Sequence, residues 1–425
     1  MKRRPLSRVI LAAAAVSVVL VSAGKSAQAD IPLLEKDGWS VWTSGRSAAH
    51  FQYITGQGAP APSAAGVLIT GFGSDAAANS SNDVATARIR SGWVGAQLNF
   101  GVANQLTPNL KAKAYFSLNV ADITNDREKT AGKGIDFREA WSSLEGSFGT
   151  IIFGRAISIF GTALAGSVYM YSYGDGVGHP CTVDGQAITC GPVNAGAIFP
   201  GFNAQVQYVA PKLGGLGLKV GLYDPSLPSL ADGTYLYTLR PLPRLEGEVS
   251  YELPIGDGGK VVALGQGLWQ HLGRPTDPAM PMASTSAEAW GGIAAARVEL
   301  SGFRVGAGFW GGDGLGTGVP LQSVQAVDPT GKLRRFVGFL AHGNYRMGDN
   351  QVGAGVGESM VRQTTDDENT PLRSLIKSNL AFHVVYYRHI GPLVLGAEFM
   401  HWISEWHRGE KQALNFMGVG ANFLW

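Results

Sequence analysis

The chain has 425 residues, with 34 Lys and Arg against 32 Asp and Glu, and only 16% of its residues are charged. A formal charge of +2 gives no electrostatic footprint for nucleic acid. After residue 29 no apolar run approaches the ~18–20 residues that a membrane-crossing helix needs, so a helical membrane protein is excluded.

Residues 1–29 read as an export signal rather than as part of the fold. Lys2, Arg3, Arg4 and Arg8 form a basic start, residues 9–21 an apolar stretch, and Ala27-Gln28-Ala29 a small-x-small cleavage site. The stretch is too short for a membrane anchor. With Lys25 the segment holds five of the 34 bases and no acid. The mature chain from Asp30 therefore has 29 bases against 32 acids, a charge of −3.

The rest is punctuated by 59 glycines and spread with 10 Trp, 13 Tyr and 18 Phe. Segments of about ten residues alternate apolar with small or polar side chains, the mark of strands with two unlike faces. In chain order they are predicted at 38–54, 87–101, 110–121, 135–146, 149–156, 203–210, 216–224, 243–253, 260–270, 287–300, 302–311, 333–346, 351–361, 374–390, 393–403 and 412–425. The clearest is 110–121. Leu110, Ala112, Ala114, Phe116, Leu118 and Val120 share one face; Lys111, Lys113, Tyr115, Ser117 and Asn119 share the other. The last strand places Met417, Val419, Ala421, Phe423 and Trp425 on one face and stops on the aromatic.

Connections alternate in length. Short ones fall at Asn104–Asn109, Gly146–Gly149, Pro211–Gly215, Pro254–Gly259, Ser301, Gly348–Asn350 and Ile390–Pro392, and several carry tight-turn residues. Long ones fall near 57–86, 122–134, 157–202, 225–242, 271–286, 312–332, 362–373 and 404–411. The expectation is an all-β chain, a transmembrane antiparallel β-barrel of about sixteen strands in one domain over 30–425, with lipid outside and water inside. A soluble secreted β-sandwich accounts less well for the terminal aromatic strand. The longest connection, 157–202, bears Cys181 and Cys190. In an oxidising periplasm a loop-stapling disulfide is expected between them. His179 alone does not complete a metal site with two cysteines, and no cofactor is expected.

Several runs resemble the trimeric, sixteen-stranded general porins of Gram-negative bacteria. They are Gly45-Arg46 with Phe51, Arg88-Ile89-Arg90-Ser91-Gly92-Trp93-Val94-Gly95, and the hairpin Phe137-Arg138-Glu139-Ala140-Trp141 to Phe153-Gly154-Arg155. Val206-Gln207-Tyr208-Val209-Ala210-Pro211 follows the long loop in the same order. The resemblance implies a water-filled diffusion channel in the outer membrane, whose third loop folds inward to narrow the pore. It implies small hydrophilic solutes and ions as cargo, a homotrimer, and contact with membrane lipid and lipopolysaccharide. Carried over by motif, the basic wall of the constriction is Arg46, Arg90, Arg138 and Arg155, with Arg88 competing for the second place. The loop lacks the family's Pro-Glu-Phe-Gly-Gly run; Asp175 is the acid expected to face the bases. With bases in excess, the pore is expected to prefer anions mildly. One difficulty is visible at once: if Arg90 faces the lumen, period two sends Gln97 and Asn99 outward unless a bulge intervenes.

Other readings are open. Tyr169, Tyr171 and Tyr173 alternate in the long loop and suit either sugar stacking in a solute-specific pore or packing of the loop. An outer-membrane enzyme would draw on His401, Ser404, Glu405 and His407, although a strand-to-loop segment points these in mixed directions. An adhesive, plugged barrel is a third possibility. Gly353-x-Gly355-x-Gly357 has no helix after it and is read as small lumen or interface residues rather than a nucleotide loop.

Overall fold

Backbone amides in hydrocarbon must be paired within the protein, and a strand wall can do this only by closing on itself. The computed structural model describes residues 30–57, 84–90, 96–120, 136–168, 191–228, 230, 235–256, 258–275, 286–321, 325–369 and 375–425. Its strands are β1 (Ile31–Lys36), β2 (Trp39–Gly56), β3 (Val84–Arg90), β4 (Ala96–Thr107), β5 (Leu110–Val120), β6 (Asp136–Gly146), β7 (Gly149–Ile157), β8 (Phe202–Val209) and β9 (Leu216–Tyr223). They continue with β10 (Arg244–Ile255), β11 (Gly259–Gly273), β12 (Ser286–Leu300), β13 (Phe303–Asp313), β14 (Arg335–Met347), β15 (Asn350–Arg362), β16 (Ile376–Ile390), β17 (Leu393–Trp406) and β18 (Lys411–Leu424).

All pair antiparallel, and β18 closes onto β2 from Leu414↔Gly56 to Leu424↔Arg46. Two wall positions hold two segments each. β1 lies in line with β18 along one side of β2, while β3 and β4 lie in line along its other side. Eighteen segments thus make sixteen wall positions, as the alternation predicts. The short β1 escaped that reading. Its six residues are all exposed and do not alternate. It is joined to β2 by Asp37-Gly38, both at positive φ (51° and 80°), the conformation of a two-residue hairpin turn.

The same register bears on the parity of the strand that carries Arg90. Arg90 pairs with His50 and Gln97 with Arg46, so β2 advances four residues while its partner advances seven. Four residues on one strand against seven on the other change the register between β3 and β4, across residues 91–95. Those five residues, and the side chains of Arg88 and Arg90, lie outside the described part of the structure.

Among the described residues of the alternating strands, one face looks outward, and in mid-strand this face is mostly apolar. Phe51, Phe116, Phe153, Val206, Val249, Phe309, Val384 and Val419 are all exposed in mid-strand, Phe309 by 67%. Water would penalise such a surface; lipid matches it. The terminal strand faces as expected, with Val419 and Phe423 exposed. Trp425 exchanges backbone hydrogen bonds with Gly45 in both directions, at 2.7 and 3.0 Å. Its ring occupies the space that a Cβ on Gly45 would take.

Phe309→Arg would place a guanidinium near the middle of β13 on that face. The expected loss is about 2–4 kcal/mol of unfolding free energy in lipid vesicles, read by denaturant titration of tryptophan fluorescence; a change below about 0.5 kcal/mol would show that this face does not meet hydrocarbon.

Candidate functional site

The chain leaves the wall after β7 and returns at β8, and the described ends of this connection lie inside the barrel. The first end is held by side chains of β9 to β11. Ile159 N–H donates to the Tyr223 hydroxyl (3.2 Å), Phe160 N–H to Glu246 Oε2 (2.8 Å) and Gly161 N–H to Gln266 Oε1 (3.0 Å). Gln266 Nε2 donates in turn to Thr162 Oγ1 and to Glu248. A π-helical turn, Ala163–Val168, follows. The returning end crosses the far wall. Gly196 N–H donates to Ser359 Oγ (2.8 Å), and Trp310 Nε1 donates to the Gly196 carbonyl (2.9 Å).

The seat of this loop breaks the polar-inside rule. Phe160, Leu164 and Ile198 of the loop are fully buried against Leu268, Leu272, Ile293, Trp310, Phe336 and Leu340, which face inward from β11 to β14. Each fully buried side chain of this size contributes about 1.5–3 kcal/mol. Backbone meets backbone where the loop touches β15. A Cβ on Gly196 (φ +94°) would fall 2.2 Å from the Phe339 carbonyl oxygen, and one on Gly357 would fall 2.4 Å from that of Ala195. Gly355 likewise makes room for the stacked rings of His342 and His383. The glycine row 353–357 is thus a lumen feature, as its composition suggested.

Opposite the seat stands a polar and aromatic wall on β2 and β4 to β6. Arg46 Nη2 donates to Gln97 Oε1 (2.7 Å), and Gln97 and Asn119 both donate to Ser117 Oγ. Nearer the short-turn end, Trp42, Gly101, Tyr115 and Trp141 form one cross-strand rung. The Trp42 ring fills the place of a Gly101 side chain. Tyr115 and Trp141 stack with centroids 5.3 Å apart, and Lys113 Nζ lies 5.3 Å from the Trp42 ring and 5.6 Å from the Trp141 ring. Sequence reading placed Lys113 and Tyr115 in the lumen but not this cluster, since the rung joins strands whose register the sequence does not show.

Two of the four expected wall arginines are elsewhere. β6 has a bulge: Ser117 pairs with Glu139 but Leu118 with Phe137, leaving Arg138 as the extra residue. Glu139 takes the lumen place, and Arg138 lies 5.5 Å from the ring of Phe202, a residue paired with the exposed Ile157. Arg155 pairs with Ala140 and Ala204, is exposed, and shares its face with Phe153 and Val206. Both arginines therefore sit on the outer side near the loop end of the wall, and the expectation that they line the pore is corrected. Arg46 lies on the lumen face, where it donates to Gln97. Asp175, Tyr169, Tyr171, Tyr173, Cys181 and Cys190 lie outside the described residues.

The candidate enzyme cluster does not converge. Ser404 is buried on the lumen side, accepting from Trp402 Nε1 and donating to Asn379. His401 bonds to Asn415, His407 to the Val361 carbonyl, and Glu405 is held by Lys377 and Lys411.

At the loop end, Arg334 donates twice to Asp367 (both 2.7 Å) and twice to the carbonyls of Gln325 and Val327. Asp367 lies in the short helix Thr365–Asn369, so this buried pair ties the connection before β14 to the one after β15. Burial alone would raise the Asp367 carboxyl. The Arg334 hydrogen bonds, the Thr364 N–H and the guanidinium charge outweigh it and hold the group below the usual carboxylate range.

A profile of the Gram-negative porin family matches residues 12–372. No curated protein matches the chain in sequence. Among solved structures, the outer membrane channel DcaP of Acinetobacter baumannii is similar over 93% of this chain and all of its own, at 15% identity and TM-score 0.66. An anion-selective porin from Comamonas acidovorans matches over 91% and 100% of the two chains, at 11% identity and TM-score 0.57. OmpF of Salmonella typhi matches over 92% and 99%, at 11% and 0.56. At these identities the likeness is one of fold.

Two expectations follow for the loops. Gly196→Val would hold the returning end off the wall, so single-channel conductance should rise while the barrel keeps its resistance to detergent; unchanged conductance would show that this contact does not set the bore. For Asp367, whose folded value is depressed, the stabilisation is present above the unfolded carboxylate pKa of about 3.9 and is lost as pH falls through the lower folded value. Limited proteolysis of the rim loops should therefore accelerate in the wild type only below about pH 4. In Asp367→Asn it should be fast already at neutral pH, because breaking a buried pair costs about 3–5 kcal/mol.

Proposed function

The chain belongs to the Gram-negative porin family and forms an outer-membrane channel for solute diffusion, and from that premise we propose that it passes small hydrophilic solutes and ions with a mild preference for anions. The observation that carries this is the pairing of lumen charges. Glu246, Glu248, Glu252 and Glu299 are neutralised by Arg244, Lys219, Lys212 with Lys260, and Arg297 with Arg304. Among the described residues, no carboxylate lies within ion-pair distance of Lys111 or Lys113, which face the lumen from β5. Unneutralised ammonium groups beside a narrow aqueous path raise the local concentration of anions. Glu139 and Glu145 on β6 are held by hydrogen bonds to Trp141 and Ser143 and keep the preference modest.

In this reading Arg46 and Arg90 belong to the basic side of the constriction and Asp175 to its acidic side. A Cys181–Cys190 disulfide stiffens the infolded loop, and the protein assembles as a homotrimer in contact with lipopolysaccharide. Reversal potentials in a salt gradient test the selectivity. One unit charge about 4 Å from an ion in water is worth about 1 kcal/mol, so the anion-to-cation permeability ratio should be roughly 2 to 5. The pair Lys111→Gln and Lys113→Gln should bring it to unity or below. Clear cation selectivity of the wild type would overturn the proposal.

A further inference from the structure

Tryptophan and tyrosine in a barrel of this kind belong mostly to girdles that face the lipid headgroups. Trp42, Tyr115 and Trp141 do not. They stand on one rung of the lumen face, all half-buried, around an ammonium group. Lys113 lies between two indole faces, and Tyr115 stacks its phenol ring on Trp141. The absence of a side chain at Gly101 lets the Trp42 ring lie across the rung. Lys111, exposed two residues along the same strand, adds a second ammonium roughly 7 Å away along β5.

We propose that this rung is a binding subsite for small aromatic carboxylates, with the ring stacked on the Trp141 and Tyr115 faces and the carboxylate at Lys113. The inference rests on the porin reading, because the ligand reaches the rung through the lumen. The chemistry follows from what each group offers. A planar ring gains from an offset face-to-face contact with an indole or phenol. An ammonium already held by aromatic faces keeps its outward N–H donors for a carboxylate; among the described residues no acid lies at ion-pair distance, and the nearby Glu139 and Glu145 are held by Trp141 and Ser143. A neutral sugar would use the faces but not the two ammonium groups. A simple inorganic anion would use the ammonium groups but not the faces. The described ends of the infolded loop sit on β9 to β15 and, through Ala195, beside Met400, Trp402 and Phe416, on strands other than β4 to β6.

The test uses the full mature chain refolded in planar bilayers, with benzoate, cyclohexanecarboxylate, acetate and maltose as probes. Benzoate should interrupt the ion current at a half-saturating concentration roughly 3–10-fold below that of cyclohexanecarboxylate, the size of one aromatic contact. Acetate and maltose should have little effect. Trp141→Leu and Lys113→Gln should each raise the benzoate value by a similar factor, and Lys113→Arg should largely restore it. Calorimetric titration of benzoate into the detergent-folded barrel reads the same site without conduction. A conducting pore that benzoate, cyclohexanecarboxylate and acetate block alike, or that maltose blocks better, would overturn the subsite. A silent barrel that still binds benzoate with the Trp141 dependence would overturn the porin reading and leave the subsite standing. The wild-type probe series decides the matter even where a variant fails to fold.

Discussion

The constraint on which everything else here depends is that no backbone N–H or carbonyl can be left unpaired in hydrocarbon. It forces β18 back onto β2 and so removes every sheet edge. Closure then fixes the register of sixteen wall positions together, and register decides which side chains meet lipid and which meet water. A shift of one residue in any strand would turn its aromatic face inward and its charges outward. The outward Phe and Val rows and the inward Gln, Glu, Arg and Lys rows are two consequences of one hydrogen-bonding requirement.

A closed wall of this size encloses a space too wide to be filled by its own side chains. The chain fills part of it with the connection between β7 and β8, and the lumen wall is built unevenly to receive that segment. From β11 to β14 the inner face carries Leu268, Leu272, Ile293 and Leu340 where an aqueous pore would have polar groups. Polar side chains on either side, Glu246, Gln266 and Ser359, take up the loop's backbone N–H groups. The loop is therefore pinned by its main chain and seated by its apolar side chains, and it is free to narrow the pore without donating a strand to the wall.

The wall opposite the seat differs from it in character. Arg46 is held in a polar chain with Gln97, Ser117 and Asn119, while Lys113 is held by rings rather than by a carboxylate. Among the described residues Glu246, Glu248, Glu252 and Glu299 are paired with neighbouring bases, while Glu398 accepts from the Tyr387 hydroxyl. The two arginines displaced to the outer side near the rim, Arg138 and Arg155, are withdrawn from that balance, so the lysines carry more of it than the motif comparison implied.

Much of the architecture was readable without coordinates. Strand positions, the alternation of short turns and long loops, the outward set ending at Trp425 and the lumen placement of Lys111 and Lys113 follow from a period of two, which is a local property of each segment. Other features were legible but passed over, such as the Asp37-Gly38 turn that marks β1. The rest depended on partners far away in the chain. Whether Arg138 or Glu139 faces the lumen turns on one bulge against β5, and Arg155 follows the register of β6 and β8 rather than its family motif. The apolar residues of β11 to β14 look like ordinary strand residues until a loop from about a hundred residues earlier is laid on them. The sequence by itself thus determined the kind of wall, because alternation and turn chemistry act between near neighbours. Only the tertiary structure decided which charges line the pore and where the loop sits, because register and docking are set by contacts between distant strands.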